Sequence, residues 1–350
     1  MSSHGGNIYD LIHPGEAIDF SSSINPFGPP GFALAAARDS LELIKKYPDA
    51  RESGIRGAFA SWLGVDPDGL VFGNGASEMI YAAMAAIAPR RALVMSPTFS
   101  EYASCASRLG IEVVEIPSIA HNDFAFDTDA IMRIFSRGDL LTICQPNNPT
   151  GTAWSESELR MISAMCRERG GYMMADECFI NLTSPRAPSC IGMVGDENVV
   201  VLRAVTKDFS APGLRVGFTI SCPAAAAAIR SRIQPWPLNC VGEAYAVACA
   251  REPEPFLSES ASRVSALRER MSRALRGLGY SPYPSDVNFM LVRGGSESAE
   301  EIYSFLLERS ILVRRCSDFS QLDGRFFRLA VRPEDDQDKL FSRLAMMRHR

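Results

Sequence analysis

The sequence predicts an α/β fold: a mostly parallel sheet with helices on both faces, followed by a smaller C-terminal α+β domain. Two observations carry this. Between about residues 50 and 230, short apolar runs alternate with helical patterns, as in successive βαβ units whose strands are covered on both faces. Near Pro253 the pattern changes to one long helix followed by two strands.

Residues 1 to about 30 are rich in Gly, Ser, Asn and Pro and read as an irregular arm. Apolar runs at 70–72, 92–95, 113–114, 140–144, 172–175 and 199–202 read as strands, and 76–88 and 155–169 as helices between them. The arginine-rich stretch 255–278 reads as a single helix. Strands follow at 288–292 and 326–331, with one helix between them and another at the C-terminus. The chain thus divides into an arm with part of the small domain (1–48), a large domain (49–250) and a small C-terminal domain (251–350).

The 350 residues are 46% hydrophobic and 22% charged, ordinary for a globular enzyme. A net charge of −5 argues against nucleic acid as a partner. No apolar stretch approaches the roughly 20 residues of a membrane span. The start, Met-Ser-Ser-His-Gly-Gly, reads as no signal peptide. Nine cysteines without a Cys-x-x-Cys pair suit reduced thiols in the cytoplasm. Four histidines without ligand spacing suggest no metal.

Four motifs fall at strand ends, where such folds place ligands. Phe72-Gly73-Asn74-Gly75-Ala76-Ser77-Glu78 joins a strand to a helix. Its small residues let backbone N–H groups approach an anion, although Ser77 and Glu78 also suit an ordinary helix cap. Pro146-Asn147-Asn148-Pro149-Thr150-Gly151 reads as a turn, or as one whose asparagine amide bonds a phenolic oxygen. Asp176 ends an apolar run, either as a helix cap or as the partner of a protonated pyridine nitrogen. Lys207 follows the run 199–202, and Arg215 lies eight residues on. Most strand-end lysines are solvated, but one placed here can form a Schiff base with an aldehyde cofactor whose phosphate the arginine holds.

In this order and spacing the motifs resemble the fold-type I pyridoxal-phosphate enzymes, the aspartate aminotransferase superfamily. The resemblance spans nearly the whole chain. It implies a fold-type I transferase architecture with pyridoxal 5′-phosphate as cofactor. Lys207 would be its Schiff-base lysine, Asp176 the partner of the ring nitrogen, Asn148 the contact to the ring hydroxyl and Tyr102 the residue stacked on the ring. Gly75, Ala76, Ser77, Thr206 and Arg215 would form the phosphate cup. Tyr47 would reach the cofactor phosphate of a second subunit, implying a homodimer with shared sites. Arg328 would meet the substrate α-carboxylate.

His4-Gly5-Gly6-Asn7, the run from Asp19 through Ser23 and Asn25 to Pro30, Val313-Arg314-Arg315-Cys316 and Phe326-Phe327-Arg328 resemble the branch holding threonine-phosphate decarboxylases of cobalamin biosynthesis and histidinol-phosphate aminotransferases. So does Phe179, where many aminotransferases carry a tyrosine. The resemblance implies that His4 and Arg314 bind a substrate phosphate, with Arg328 and Arg332 near the carboxylate and Gly5, Ser23, Asn25 and Asn148 lining the substrate site. On the residues alone, His4 reads as an ordinary chain terminus. Ala204, Asp208, Ser23 and Gln145 depart from the branch pattern, and the last two are expected to alter the substrate pocket. The leading expectation is decarboxylation of O-phospho-L-threonine or O-phospho-L-serine. The alternatives are a histidinol-phosphate-type aminotransferase and a protein that binds the cofactor without turnover.

Overall fold

The computed structural model describes residues 5–6, 8–10 and 17–348; His4 lies outside them. The first strand of the arm is β1 (Ile18–Asp19). The central sheet comprises β2 (Leu70–Asn74), β3 (Arg91–Ser96), β4 (Glu112–Pro117), β5 (Asp139–Cys144), β6 (Tyr172–Asp176), β7 (Val199–Ala204) and β8 (Val216–Ile220). Its strand order is β2-β8-β7-β6-β5-β3-β4. Strands β3 to β7 pair in parallel, while β8 runs antiparallel to β2 and β7.

Side chains alternate across this sheet into two apolar layers. Leu141, Ile143, Val199 and Val201 enter one, and Leu140, Cys144, Val200 and Leu202 the other. Both faces are therefore dry, as the continuous apolar runs require. The helices of this part are α1 (Gly31–Asp39), α2 (Ser53–Leu63), α3 (Ala76–Ile87), α4 (Glu101–Arg108), α5 (Thr128–Ile134), α6 (Glu156–Glu168), α7 (Val205–Asp208), α8 (Pro223–Arg230) and α9 (Cys240–Arg251). Helix α6 starts at a capping box in which Ser155 and Glu158 satisfy each other's backbone N–H groups.

The six expected strands are present, and β8 is a seventh. Gly217 and Thr219 interrupt its apolar run, which hides it from a hydrophobicity reading. The pattern change near Pro253 corresponds to α10 (Phe256–Gly277). Beyond it come β9 (Ser281–Pro282), β10 (Phe289–Arg293), α11 (Ala299–Leu307), β11 (Ile311–Leu312), β12 (Arg314–Arg315), β13 (Phe326–Ala330) and α12 (Glu334–Arg348). An antiparallel sheet, β12-β13-β10-β9, packs with these helices around Phe327, Leu329, Ile302 and Leu340. Strand β1 pairs in parallel with β11, and Phe20 joins this second core, whereas Ala33 and Ala37 of α1 join the first.

Phe59, Phe72 and Phe218 form a mutually packed trio under β2 and β8, with ring centroids 4.7, 5.1 and 5.4 Å apart. Truncating a buried phenylalanine removes its transfer energy and leaves a cavity. Phe218→Ala is expected to cost about 3–5 kcal/mol of unfolding free energy, measured by chemical denaturation. A loss below about 1 kcal/mol would contradict this packing account.

Candidate active site

The carboxyl ends of β5, β6 and β7 open into a cleft of about 500 Å³. Parallel register brings Cys144 beside Asp176 and Asp176 beside Leu202, so the motifs that follow these strands meet there. Lys207, Asp176, Asn148, Tyr102, Ala76, Ser77, Thr206 and Arg215 all line this cleft.

At the phosphate end, α3 begins at Gly75 with no side-chain cap, leaving its first N–H groups for a ligand. Ser77 does not cap its own helix, and Glu78 instead reaches back to Asn74 N at 2.5 Å. Gly75 has φ +84°, and a Cβ there would meet the Arg215 guanidinium at 2.4 Å. A Cβ at Gly217 would come within 2.4 Å of the Gly75 carbonyl carbon. Two bare backbones and an exposed arginine thus form a cradle that no larger residue would leave open. Its donors, with Thr206, fit a phosphate group.

Asp176 is buried at the far end. Its carboxylate accepts Cys178 N at 3.0 Å and the Tyr102 hydroxyl at 2.7 Å. Burial holds its proton affinity above the usual carboxylate range, opposed by these donors. An N–H cation such as a pyridinium is the partner such a group lacks. Tyr102, expected to stack on the ring, is fully buried in the cleft wall and edge-on to Phe99. Lys207 projects between the two ends, with Nζ 5.7 Å from the centre of the Phe179 ring. Burial, with Arg328 and Arg215 nearby, lowers its amine to about 8. These residues fit pyridoxal phosphate along its whole length.

The substrate side is built by a different device. Antiparallel register pairs Arg314 of β12 directly with Arg328 of β13, which places both side chains on one face of the small sheet. Arg328 donates to Asn148 Oδ1 and, at 2.8 Å, to the Ser21 carbonyl. That leaves the Asn148 NH₂ for a phenolic oxygen. Arg314 pairs with Asp318 at 2.6 Å and lies over the Phe319 ring. Gly5 and Ser23 line the cleft, and the Ser23 hydroxyl and Arg328 Nε are buried without partners.

Three expectations, for Arg332, Gln145 and Asn25, need correction. Arg332 does not line the cleft; it pairs with Asp336 of α12 at 2.9 Å, one turn along the chain. Gln145 holds the Trp154 backbone and the Pro188 carbonyl rather than the substrate pocket. Asn25 is buried outside the cleft wall. The Asp208 carboxylate turns away from the cleft and accepts Asn181 Nδ2 at 2.7 Å. The expectation for Tyr47 concerns a second subunit; within this chain Tyr47 is 81% exposed and packs on Trp236, with centroids 4.7 Å apart.

The reading missed Ser21, Ser22, Cys144, Cys178, Arg108 and Phe319, all in the cleft lining. The serine run Ser21-Ser22-Ser23 was itself a signal for the first two; Phe319 sits in an irregular segment with none. It also missed a buried ion pair behind the site. There the Arg203 guanidinium meets Glu177 at 2.7 Å, and Glu177 also accepts Cys190 N and the Ser189 hydroxyl.

An uncapped phosphate cradle, a lysine and a buried aspartate on one parallel sheet define a pyridoxal-phosphate enzyme of the aminotransferase fold. Residues 16–344 match the family aminotransferase class I and II, and the chain belongs to it. Its cofactor is pyridoxal 5′-phosphate. Within the family the chain is similar to threonine-phosphate decarboxylase of Salmonella typhimurium, 32% identical over 98% of this chain and 96% of the relative. Histidinol-phosphate aminotransferase of Methylobacillus flagellatus is 31% identical over 89% of this chain and 84% of its own. The crystal structure of the histidinol-phosphate aminotransferase from Clostridium acetobutylicum superposes with a TM-score of 0.88 at 28% identity, covering 94% of this chain and 98% of that one.

Two measurements test the site. Lys207→Ala is expected to lose the near-visible absorbance of the protein-bound cofactor; a purified variant that keeps the band refutes the lysine assignment. The second concerns Asp208, which burial raises from 3.8 to about 7. Its folded form keeps a proton that the unfolded chain has released, so its contribution to stability declines as pH rises from about 4 to 7. Asp208→Asn should therefore gain on the parent protein as pH rises from 5 to 8 in urea titrations. Parallel behaviour of the two proteins would show that Asp208 does not titrate in this range.

Proposed function

We propose that this chain decarboxylates O-phospho-L-threonine, or a close analogue such as O-phospho-L-serine, to an amino-alcohol phosphate for cobamide assembly. The observation that carries this reading is the register pair Arg314–Arg328. Two buried guanidinium groups on one face suit a substrate with two anionic ends, a carboxylate and a phosphate. The similarity to a threonine-phosphate decarboxylase over nearly all of both chains supports it.

The bound cofactor supplies an aldehyde that takes up the substrate amine and an electron-accepting ring that weakens whichever Cα bond stands perpendicular to it. The protein decides which bond that is. Arg328, seated by Asn148 and the Ser21 carbonyl, anchors the carboxylate, and Arg314 anchors the phosphate. With both ends fixed, rotation about the Cα–N bond is no longer free. Loss of CO₂ leaves the α-carbon one proton short. Lys207, with an amine near 8, is matched to deliver that proton at neutral pH. Phe179, beside the Lys207 amine, offers no competing acid.

The same residues suit transamination if the Cα–H bond is the one presented, and similarity to a histidinol-phosphate aminotransferase favours that second reading. In either case we infer a homodimer. Tyr47, Ile44, Leu41 and Trp236 expose apolar surface together, and Tyr47 would reach the partner's phosphate cup. All nine cysteines are unpaired, which supports a cytoplasmic location.

Purified holoenzyme should release CO₂ from O-phospho-L-threonine or O-phospho-L-serine without 2-oxoglutarate. No release, with glutamate formed from L-histidinol phosphate once 2-oxoglutarate is added, would make the protein an aminotransferase.

A further inference from the structure

Helix α7, which carries Lys207, is one turn of four residues, and its N-cap Ala204 makes no side-chain bond. A single turn does not hold itself in water. Its Val205 carbonyl accepts Phe209 N at 3.2 Å, and the carbonyls that end a helix look outside it for donors. Two of them are captured by one residue of the arm. Asn25 N donates to the Lys207 carbonyl at 3.0 Å, and Asn25 Nδ2 donates to the Asp208 carbonyl at 2.9 Å. The same amide donates to Ser260 Oγ of α10 at 2.9 Å, and its Oδ1 accepts Phe27 N. The Asn25 carbonyl accepts the Ser210 hydroxyl at 2.7 Å, so Asn25 grips the last two residues of the turn and the chain just beyond it. It is 2% exposed and does not line the cleft.

The arm that presents Asn25 is itself held in register. Phe20 N donates to the Leu312 carbonyl and Ala330 N to the Phe20 carbonyl, each at 2.8 Å. One residue on, the Ser21 carbonyl seats Arg328. A short stretch of backbone therefore joins the carboxylate-binding arginine to the reactive lysine.

We infer that Asn25 is a positioning residue for Lys207, holding the one-turn helix at a fixed place relative to Arg328. This rests on Lys207 being the cofactor lysine. Only asparagine supplies two donors and an acceptor on so short a side chain. Aspartate has the same shape, and the Ser260 hydroxyl could donate to it, but it would face the Asp208 carbonyl with an acceptor alone.

The test compares Asn25→Ala and Asn25→Asp holoenzymes with the parent. Both should release cofactor about ten-fold faster on dialysis and show a weaker near-visible band at saturating cofactor. With the substrate turned over by the parent, kcat should fall about 10- to 100-fold, the effect of a misplaced reacting group, while KM changes less than about three-fold, since the cleft wall is untouched. A raised KM with unchanged kcat and an unchanged band would overturn the inference and return Asn25 to substrate binding. If Asn25→Ala does not fold, Ser260→Ala, which removes one acceptor of the same amide, should move cofactor release in the same direction by about two- to five-fold. Unchanged release in both Ser260→Ala and Ser210→Ala would also overturn it. Band and release are read without substrate, so the result holds for a decarboxylase or an aminotransferase. Loss of the band in Lys207→Ala tests the underlying lysine assignment separately.

Discussion

A carboxylate buried at the end of the central strand organises this protein. Asp176 cannot be left charged in an apolar layer without donors or a cation, and β6 delivers it there because its neighbours β5 and β7 cover it on both sides. Tyr102 and the Cys178 backbone satisfy part of its demand. The rest of the cleft answers with positive charge, through Lys207, Arg215, Arg314 and Arg328. The site is therefore an anion receptor with a buried acidic pole, the charge pattern of a cofactor with a cationic ring nitrogen and a phosphate tail.

The remainder of the structure fixes distances around that pole. The contact between Gly75 and Gly217 sets how close a phosphate comes to α3. The pairing of Arg314 with Arg328 fixes the separation of their backbones, and Asn148, the Ser21 carbonyl and Asp318 hold the guanidinium ends. Buried in low dielectric, these arginines interact more strongly with an anion than surface ones do. Burial already lowers Arg328 to about 10, the cost of desolvating a guanidinium.

Much of this was legible in the sequence. Strands buried on both faces read as apolar runs, and a motif after each run falls at the carboxyl edge by topology alone. Lys207, Asp176 and Asn148 end or follow such runs, and Arg215 lies eight residues beyond Lys207; all four line the cleft. Direction was not legible. Asn25, Gln145 and Arg332 lie in stretches that reach the site, yet their side chains turn to Ser260, Trp154 and Asp336. The choice depends on partners far away in the chain. Phe319 and the Glu177–Arg203 pair escaped for the same reason, and β8 because a glycine needed for close approach also breaks the apolar signal.

The parallel pairing of β1 with β11 has a consequence for how the protein is made. Ile18 meets Ile311, so the arm waits for a partner that is synthesised long after it. Strands β3 to β7 can pair while synthesis continues, because they follow one another closely in the chain, whereas β2 waits for β8. The arm cannot dock until that partner has been made, and contacts between such distant segments form slowly. Lys207 thus acquires its final setting late, so a nascent chain carries the parts of a catalyst before it carries the catalyst.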